Sequence, residues 1–281
     1  MTDILNPALA IGGIGIVLGI LLAIASKLFA VEVDERIPLI LEKLPGANCG
    51  GCGFTGCEAY AQAIVRGASV TLCGAGGQKA ADEIGAIMGV KAGEVVQKKA
   101  VVLCAGTLQK AADKYDYIGK RDCLSAFKAH GGGPKSCDYG CLGYGTCVSA
   151  CTRNAIKIVD GIAVVDVQKC GGCGSCAASC PKGIITLVEA KNKYVVKCTS
   201  CDKGAAMKSI CSAGCIGCGL CIKACQYGAV SIENSHAVID YTKCVGCGEC
   251  AKKCPRGIIC TIDGGGTECT EEKSASSEVV L

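Results

Sequence analysis

The chain opens on an unbroken run of apolar residues and glycine, Ala8 to Ala25, bounded by Asp3 and Lys27. With Leu28, Phe29, Ala30 and Val31 beyond the single lysine, the run is just long enough to cross a bilayer. A helix that is apolar all round needs lipid or a large surrounding protein, and nothing nearby in the sequence supplies the latter. Residues 1–31 are therefore expected to be a transmembrane anchor, and Gly12, Gly13, Gly15, Gly19 and Ala23 suit close packing against other membrane helices. The stretch Val33 to Leu44 is amphipathic and stops at Pro45-Gly46. Glu58–Gly67 and Gln78–Val90 read as short helices. The period then falls to two in Ala155–Val159 and Ile162–Val167, in Ile184–Val188, and in Val230–Glu233 and Ala237–Asp240, which predicts short hairpin strands.

Composition changes the picture. Of 281 residues 27 are Cys and 40 are Gly, with no Trp and 3 Phe, so segments of this kind cannot build a large apolar core. Bound metal can take over that role, since its binding free energy becomes folding free energy; the metal-free chain is expected to be largely unfolded. A secreted disulfide scaffold would be short, even in cysteine count and preceded by a basic signal region; Met1-Thr2-Asp3 is not one. The thiols call for a reducing compartment, which puts the part following the anchor in the cytoplasm.

The cysteines fall into runs. Cys170, Cys173, Cys176, Cys180 precede Pro181, and Cys244, Cys247, Cys250, Cys254 precede Pro255; Cys215, Cys218, Cys221, Cys225 repeat the intervals before Gln226. In this spacing three thiolates serve one [4Fe–4S] cluster and the fourth serves its neighbour. Zinc is the rival occupant, but zinc sites use two knuckles separated by a spacer. By the crossing rule Cys137, Cys141 and Cys147 go with Cys180, and Cys170, Cys173 and Cys176 with Cys151. Likewise Cys215, Cys218 and Cys221 go with Cys254, and Cys244, Cys247 and Cys250 with Cys225. The first set departs from the regular intervals. Cys49, Cys52, Cys57 and Cys73 form a further four-cysteine site, giving at least five [4Fe–4S] clusters. Cys198-x2-Cys201 with Cys211, together with Cys104 and Cys123, leaves an additional metal site open; Cys260 and Cys269 read as structural or incidental.

These readings make an α+β protein. Its expected parts are the anchor at 1–31, a small helical Fe–S domain at 32–95 and a connecting segment at 96–133. Ferredoxin-like modules at 134–190 and 191–262 follow, each with two [4Fe–4S] clusters, and then a disordered tail at 263–281. Catalytic residues are not expected. His130 and His236 are the only histidines and neither sits in an acid–base constellation. Residues 181–256 carry eleven Lys or Arg against five Asp or Glu, a surface that would steer an acidic protein. No nucleic-acid partner is expected, and Gly131-Gly132-Gly133 does not make a nucleotide site.

The order of membrane helix, Leu44-Pro-Gly-Ala-Asn-Cys-Gly-Gly-Cys-Gly-Phe-Thr-Gly-Cys57 with Cys73, and polyferredoxin resembles the B-subunit family of the Rnf complex. So does Gly132-Gly-Pro-Lys135 leading to Cys137-Asp-Tyr-Gly-Cys141-Leu-Gly-Tyr-Gly-Thr-Cys147, and the resemblance runs from residue 1 to about 262. It implies an electron-input subunit of an ion-translocating ferredoxin:NAD oxidoreductase on the cytoplasmic side of a bacterial membrane. Soluble ferredoxin would be the donor and other complex subunits the acceptors, with flavin and nicotinamide sites on those partners. A membrane-bound polyferredoxin serving another oxidoreductase without ion translocation is the alternative.

Overall fold

The structure, a computed structural model, describes residues 2–28, 34–263 and 266–269, with side chains described for 12–25 of the first helix. That helix, α1 (Thr2–Leu28), exposes apolar side chains on all sides, Ile14, Val17, Leu18, Leu21 and Leu22 among them. Among the described residues no helix is long and apolar enough to cross a membrane. The rest of the expected anchor, Met1 and residues 29–31, lies outside the described residues, as do the side chains of 2–11.

Three helices follow: α2 (Arg36–Lys43), α3 (Cys57–Val65) and α4 (Gly77–Met88). Each buries one narrow stripe, and Ile40, Tyr60, Ala61, Ile64 and Ile84 meet in a small core with Leu44 and Val70. The α4 helix ends at Gly89, whose left-handed φ of 67° lets Val90 N–H turn back to the Gly85 carbonyl at 2.9 Å. Core and cysteines share this unit, since Cys52, Cys57 and Cys73 pack against the same cluster.

The remainder is two similar halves. The first runs β1 (Lys98–Val102), α5 (Cys123–Lys128), α6 (Thr146–Ser149), β2 (Ile156–Val159), β3 (Ile162–Val165), α7 (Ser175–Ser179) and β4 (Ile185–Glu189). The second runs β5 (Tyr194–Val196), α8 (Gly204–Ile210), α9 (Leu220–Ala224), β6 (Val230–Glu233), β7 (His236–Ile239), α10 (Glu249–Lys252), β8 (Ile259–Asp263) and β9 (Gly266–Glu268). Both halves hold an antiparallel hairpin, β2–β3 and β6–β7, and a second antiparallel pair in which a late strand returns to the first, β1–β4 and β5–β8. Val101, Val188 and Val195 form a small buried seam between the halves, with Tyr241 and Ile262 packed on it.

The hairpins and the helices of the Cys49 domain lie where the apolar periods put them. Two expectations fail. The segment 96–133 is not a mere connector, because β1 completes the first half by pairing Lys98 through Val102 with Glu189 through Ile185. The tail expected to lack structure from residue 263 starts instead with Asp263 in β8 and includes β9, which pairs with β8, and Cys260 is joined to Cys269 by a disulfide. Residues 264–265 and 270–281 of that tail lie outside the described residues.

Candidate metal centres

Four short helices repeat one device. α6, α7, α9 and α10 each start after a glycine in the left-handed region, Gly145, Gly174, Gly219 and Gly248, with φ between 71° and 81°. A side chain there would be strained, so glycine is what allows the loop to turn sharply into the helix. Each helix then carries one buried cysteine inward: Cys147, Cys176, Cys221 and Cys250.

Around those four the other cysteines gather in sets. Cys176 shares its cavity with Cys170, Cys173 and Cys151, and Cys221 shares one with Cys215, Cys218 and Cys254. Cys244, Cys247 and Cys225 lie within electrostatic reach of Cys250. Burial pushes the Cys176 and Cys250 thiols up to about 11, and the surrounding sulfurs push the same way. Clustered buried thiolates repel one another and are poorly solvated, so such a set is stable as thiolates only around a cationic core. Among the described residues no three His, Cys, Asp or Glu side chains converge closely enough for a single metal ion. The cysteines ring small cavities instead, of about 20 Å³ in these two cases.

The fourth set differs from the expected one. Cys147 lines its cavity with Cys141, Cys180 and Cys123. Cys137 is not in it; it faces a separate cavity with Cys104, Cys198 and Cys211. The reason lies in the interval Cys141-x5-Cys147, where Tyr144 occupies the position of the regular second cysteine. Cys123 comes in from α5, its N–H bonded to Thr146 Oγ1 at 2.8 Å beside Cys147. The turn that delivers it is fixed by Asp122, whose carboxylate accepts from Ser125 N–H at 2.8 Å and is thereby held below the usual carboxylate range. The missing second cysteine is the one sequence signal that points to a donor from elsewhere. Cys201 is exposed and lines none of these cavities.

In the α2–α4 domain, Cys49, Cys52, Cys57 and Cys73 line one cleft. Asn48, in the left-handed region at φ 45°, accepts the Cys57 N–H on its Oδ1 at 2.9 Å and so ties the two ends of the loop. Tyr60 does the same for Cys73: its hydroxyl donates to Ser69 O at 2.8 Å and accepts from Leu72 N–H at 3.1 Å. Burial pushes that phenol up to about 12. The cleft also includes Lys98, Gly171 and Gly172, so this site abuts the loop bearing Cys170 and Cys173.

Backbone donors complete the sites. Ala100 N–H points at Cys170 Sγ (3.4 Å), Ala155 N–H at Cys151 Sγ (3.3 Å) and Ala229 N–H at Cys225 Sγ (3.3 Å). Such bonds stabilise the charged sulfur and tune an iron–sulfur centre.

Family models agree with this chemistry. The model FeS, for an Fe-S cluster, matches residues 44–74; a 4Fe-4S binding domain matches 163–186 and a 4Fe-4S dicluster domain 214–258. The chain is 48% identical over 245 residues to the B subunit of the Na(+)-translocating ferredoxin:NAD(+) oxidoreductase complex of Acetobacterium woodii, covering 86% of this chain and 73% of the relative. It is 42% identical to the B subunit of the ion-translocating oxidoreductase complex of Methanosarcina acetivorans, over 85% of this chain and 91% of that one. A third relative, the B subunit of the proton-translocating ferredoxin:NAD(+) oxidoreductase complex of Clostridium ljungdahlii, is 41% identical over 81% of each chain. Long, high-identity matches, iron–sulfur domains and sets of buried cysteines converge: the chain belongs to the B-subunit family of ion-translocating oxidoreductase complexes.

Proposed function

We propose that this chain is the electron-input subunit of a membrane-bound, ion-translocating ferredoxin:NAD oxidoreductase, taking electrons from reduced ferredoxin and relaying them to partner subunits. The observation that carries the reading is the gathering of twenty cysteines into five sets of four. Each set would hold one [4Fe–4S] cluster: Cys49, Cys52, Cys57 and Cys73; Cys123, Cys141, Cys147 and Cys180; Cys151, Cys170, Cys173 and Cys176; Cys215, Cys218, Cys221 and Cys254; Cys225, Cys244, Cys247 and Cys250. Bound clusters supply one-electron transfer with little change in geometry. The chain's own residues hold the sulfurs, exclude water and donate N–H groups to them.

Entry is assigned to the second half. Cys218 and Cys247 are exposed there, beside exposed Leu220, Tyr227 and Val245 and among exposed Lys223, Lys243, Lys252 and Lys253. Exposed apolar side chains and lysines, of which Lys243 and Lys252 pair with Asp240 and Glu249, suit a transient acidic partner. Exit toward the complex is assigned to the Cys49 site, which follows α1 in the chain. The exposed apolar surface of residues 12–25 supports α1 as the membrane anchor, with the cluster domains on the cytoplasmic side. Anaerobic mixing of the whole complex with reduced ferredoxin tests the reading. Bleaching of iron–sulfur absorbance in this subunit before NADH appears supports it; NADH formation at the wild-type rate by a complex lacking this subunit overturns it.

A further inference from the structure

The two halves repeat more than their hairpins. Val101-Val-Leu-Cys104 follows β1's core as Val195-Val-Lys-Cys198 follows β5's, and Cys137-Asp-Tyr-Gly-Cys141 matches Cys211-Ser-Ala-Gly-Cys215. Hydrogen bonds repeat with them. Leu103 N–H donates to Ile184 O at 2.8 Å, and Lys197 N–H to Ile258 O at 2.8 Å. Cys141 N–H donates to Cys104 Sγ at 3.4 Å, and Cys215 N–H to Cys198 Sγ at 3.3 Å. Lys182 Nζ donates to the carbonyl of Asp138, one residue after Cys137, and Arg256 Nη2 to that of Cys211 at 2.6 Å.

Related in this way, Cys104 and Cys137 from one half meet Cys198 and Cys211 from the other around a single cavity. All four thiols are buried. The cavity measures about 20 Å³, the same as the cavities of the Cys215, Cys123 and Cys151 sets. Lys135 lines it too, only 3% exposed. Its Nζ donates to the carbonyls of Gly106 and Cys141, and no carboxylate pairs with it among the described ion pairs. A buried ammonium without an anion is costly. A cluster bound by four thiolates carries net negative charge, and would offset it.

We infer that Cys104, Cys137, Cys198 and Cys211 hold a sixth [4Fe–4S] cluster, shared between the two halves. It rests on reading the regular sets as [4Fe–4S] sites. Its place follows from the chain: Cys104 takes the N–H of Cys141, a member of the Cys123 set, and Cys198 takes that of Cys215, a member of the Cys254 set. The site therefore stands between the Cys123 set of the first half and the Cys215 set of the second.

The test is iron and acid-labile sulfide per chain in the full-length protein, purified anaerobically in detergent, for the wild type and for Cys137→Ala, Cys211→Ala and Cys201→Ala. The wild type should carry about 24 iron per chain, the first two variants about four fewer, and Cys201→Ala the full complement, by the composition of a [4Fe–4S] cluster. A wild-type value of about 20, full iron in Cys137→Ala and Cys211→Ala, or one zinc per chain bound in place of the sixth cluster overturns the inference while leaving the five-cluster reading intact, and a value well below 20 overturns both. Absence of iron altogether would defeat both.

Discussion

Gly51 lies directly on the backbone of Cys173: a Cβ at Gly51 would come within 2.7 Å of the Cys173 Cα. Across the same seam, Ala75 Cβ stands 3.0 Å from where a Cβ of Gly171 would be. The loops of the Cys49 and Cys170 sites are thus in contact.

Widening that seam should slow transfer without emptying either site. Gly51→Val adds a branched side chain where there is no room, at a cost on the order of 1–3 kcal/mol if the seam has to open. Iron content should stay at the wild-type level while ferredoxin-driven NADH formation falls. Stopped-flow absorbance of the whole complex checks this, and an unchanged rate would remove the seam from the route.

Tyr60 is the fastener of Cys73. Tyr60→Phe leaves the ring in the core but removes a donor to Ser69 O and an acceptor for Leu72 N–H. Both bonds are only partly buried, so their loss costs about 0.5–1.5 kcal/mol each. The variant should lose the iron of the Cys49 site more readily under a chelator than the wild type does, with the remaining sites unaffected. EPR of the reduced protein resolves which signal disappears.

Cys123 lines the cavity of the Cys141 set, where spacing alone would put Cys137. Cys123→Ala should remove the signal of the Cys141 site, and Thr146→Val, which takes away only the acceptor of the Cys123 N–H, should weaken it. Counting iron in both variants separates this from a general folding defect. Retention of every cluster in Cys123→Ala would show that the Cys141 site finds its fourth sulfur elsewhere.

Much of this architecture is legible in the chain where a local period or interval dictates it. The hairpins at Ile156–Val165 and Val230–Ile239 and the helices at Cys57–Val65 and Gly77–Met88 follow from alternation and stripe. Partners distant in sequence are not. β1 pairs Lys98 with Glu189, from opposite ends of its half, and Cys123 enters from a helix far from any regular cysteine run. The Val-Val-x-Cys and Cys-x-x-Gly-Cys repeats are present in the chain, but intervals anchored on the regular runs hide them. Cys137 looks like the first member of the Cys141 run until β1 and β5 bring Cys104 and Cys198 to it.

Ionic strength should act on electron entry. Lys223, Lys243, Lys252 and Lys253 are exposed, each within six residues of Cys218 or Cys247 in the chain. Charge attraction over such a surface is screened within about 8–10 Å at physiological salt. Raising salt should therefore slow reduction by ferredoxin, and reversing Lys252 and Lys253 to Glu should slow it at low salt. A salt-independent rate would place docking elsewhere.

The most direct measurement is anaerobic reductive titration of the full-length protein with reduced ferredoxin, followed by EPR alongside metal and sulfide analysis. The account predicts brown protein with equal iron and acid-labile sulfide, accepting one electron per [4Fe–4S] cluster with signals of interacting S = 1/2 centres. Colourless protein carrying zinc on these cysteines, or iron–sulfur protein that ferredoxin cannot reduce, would contradict it.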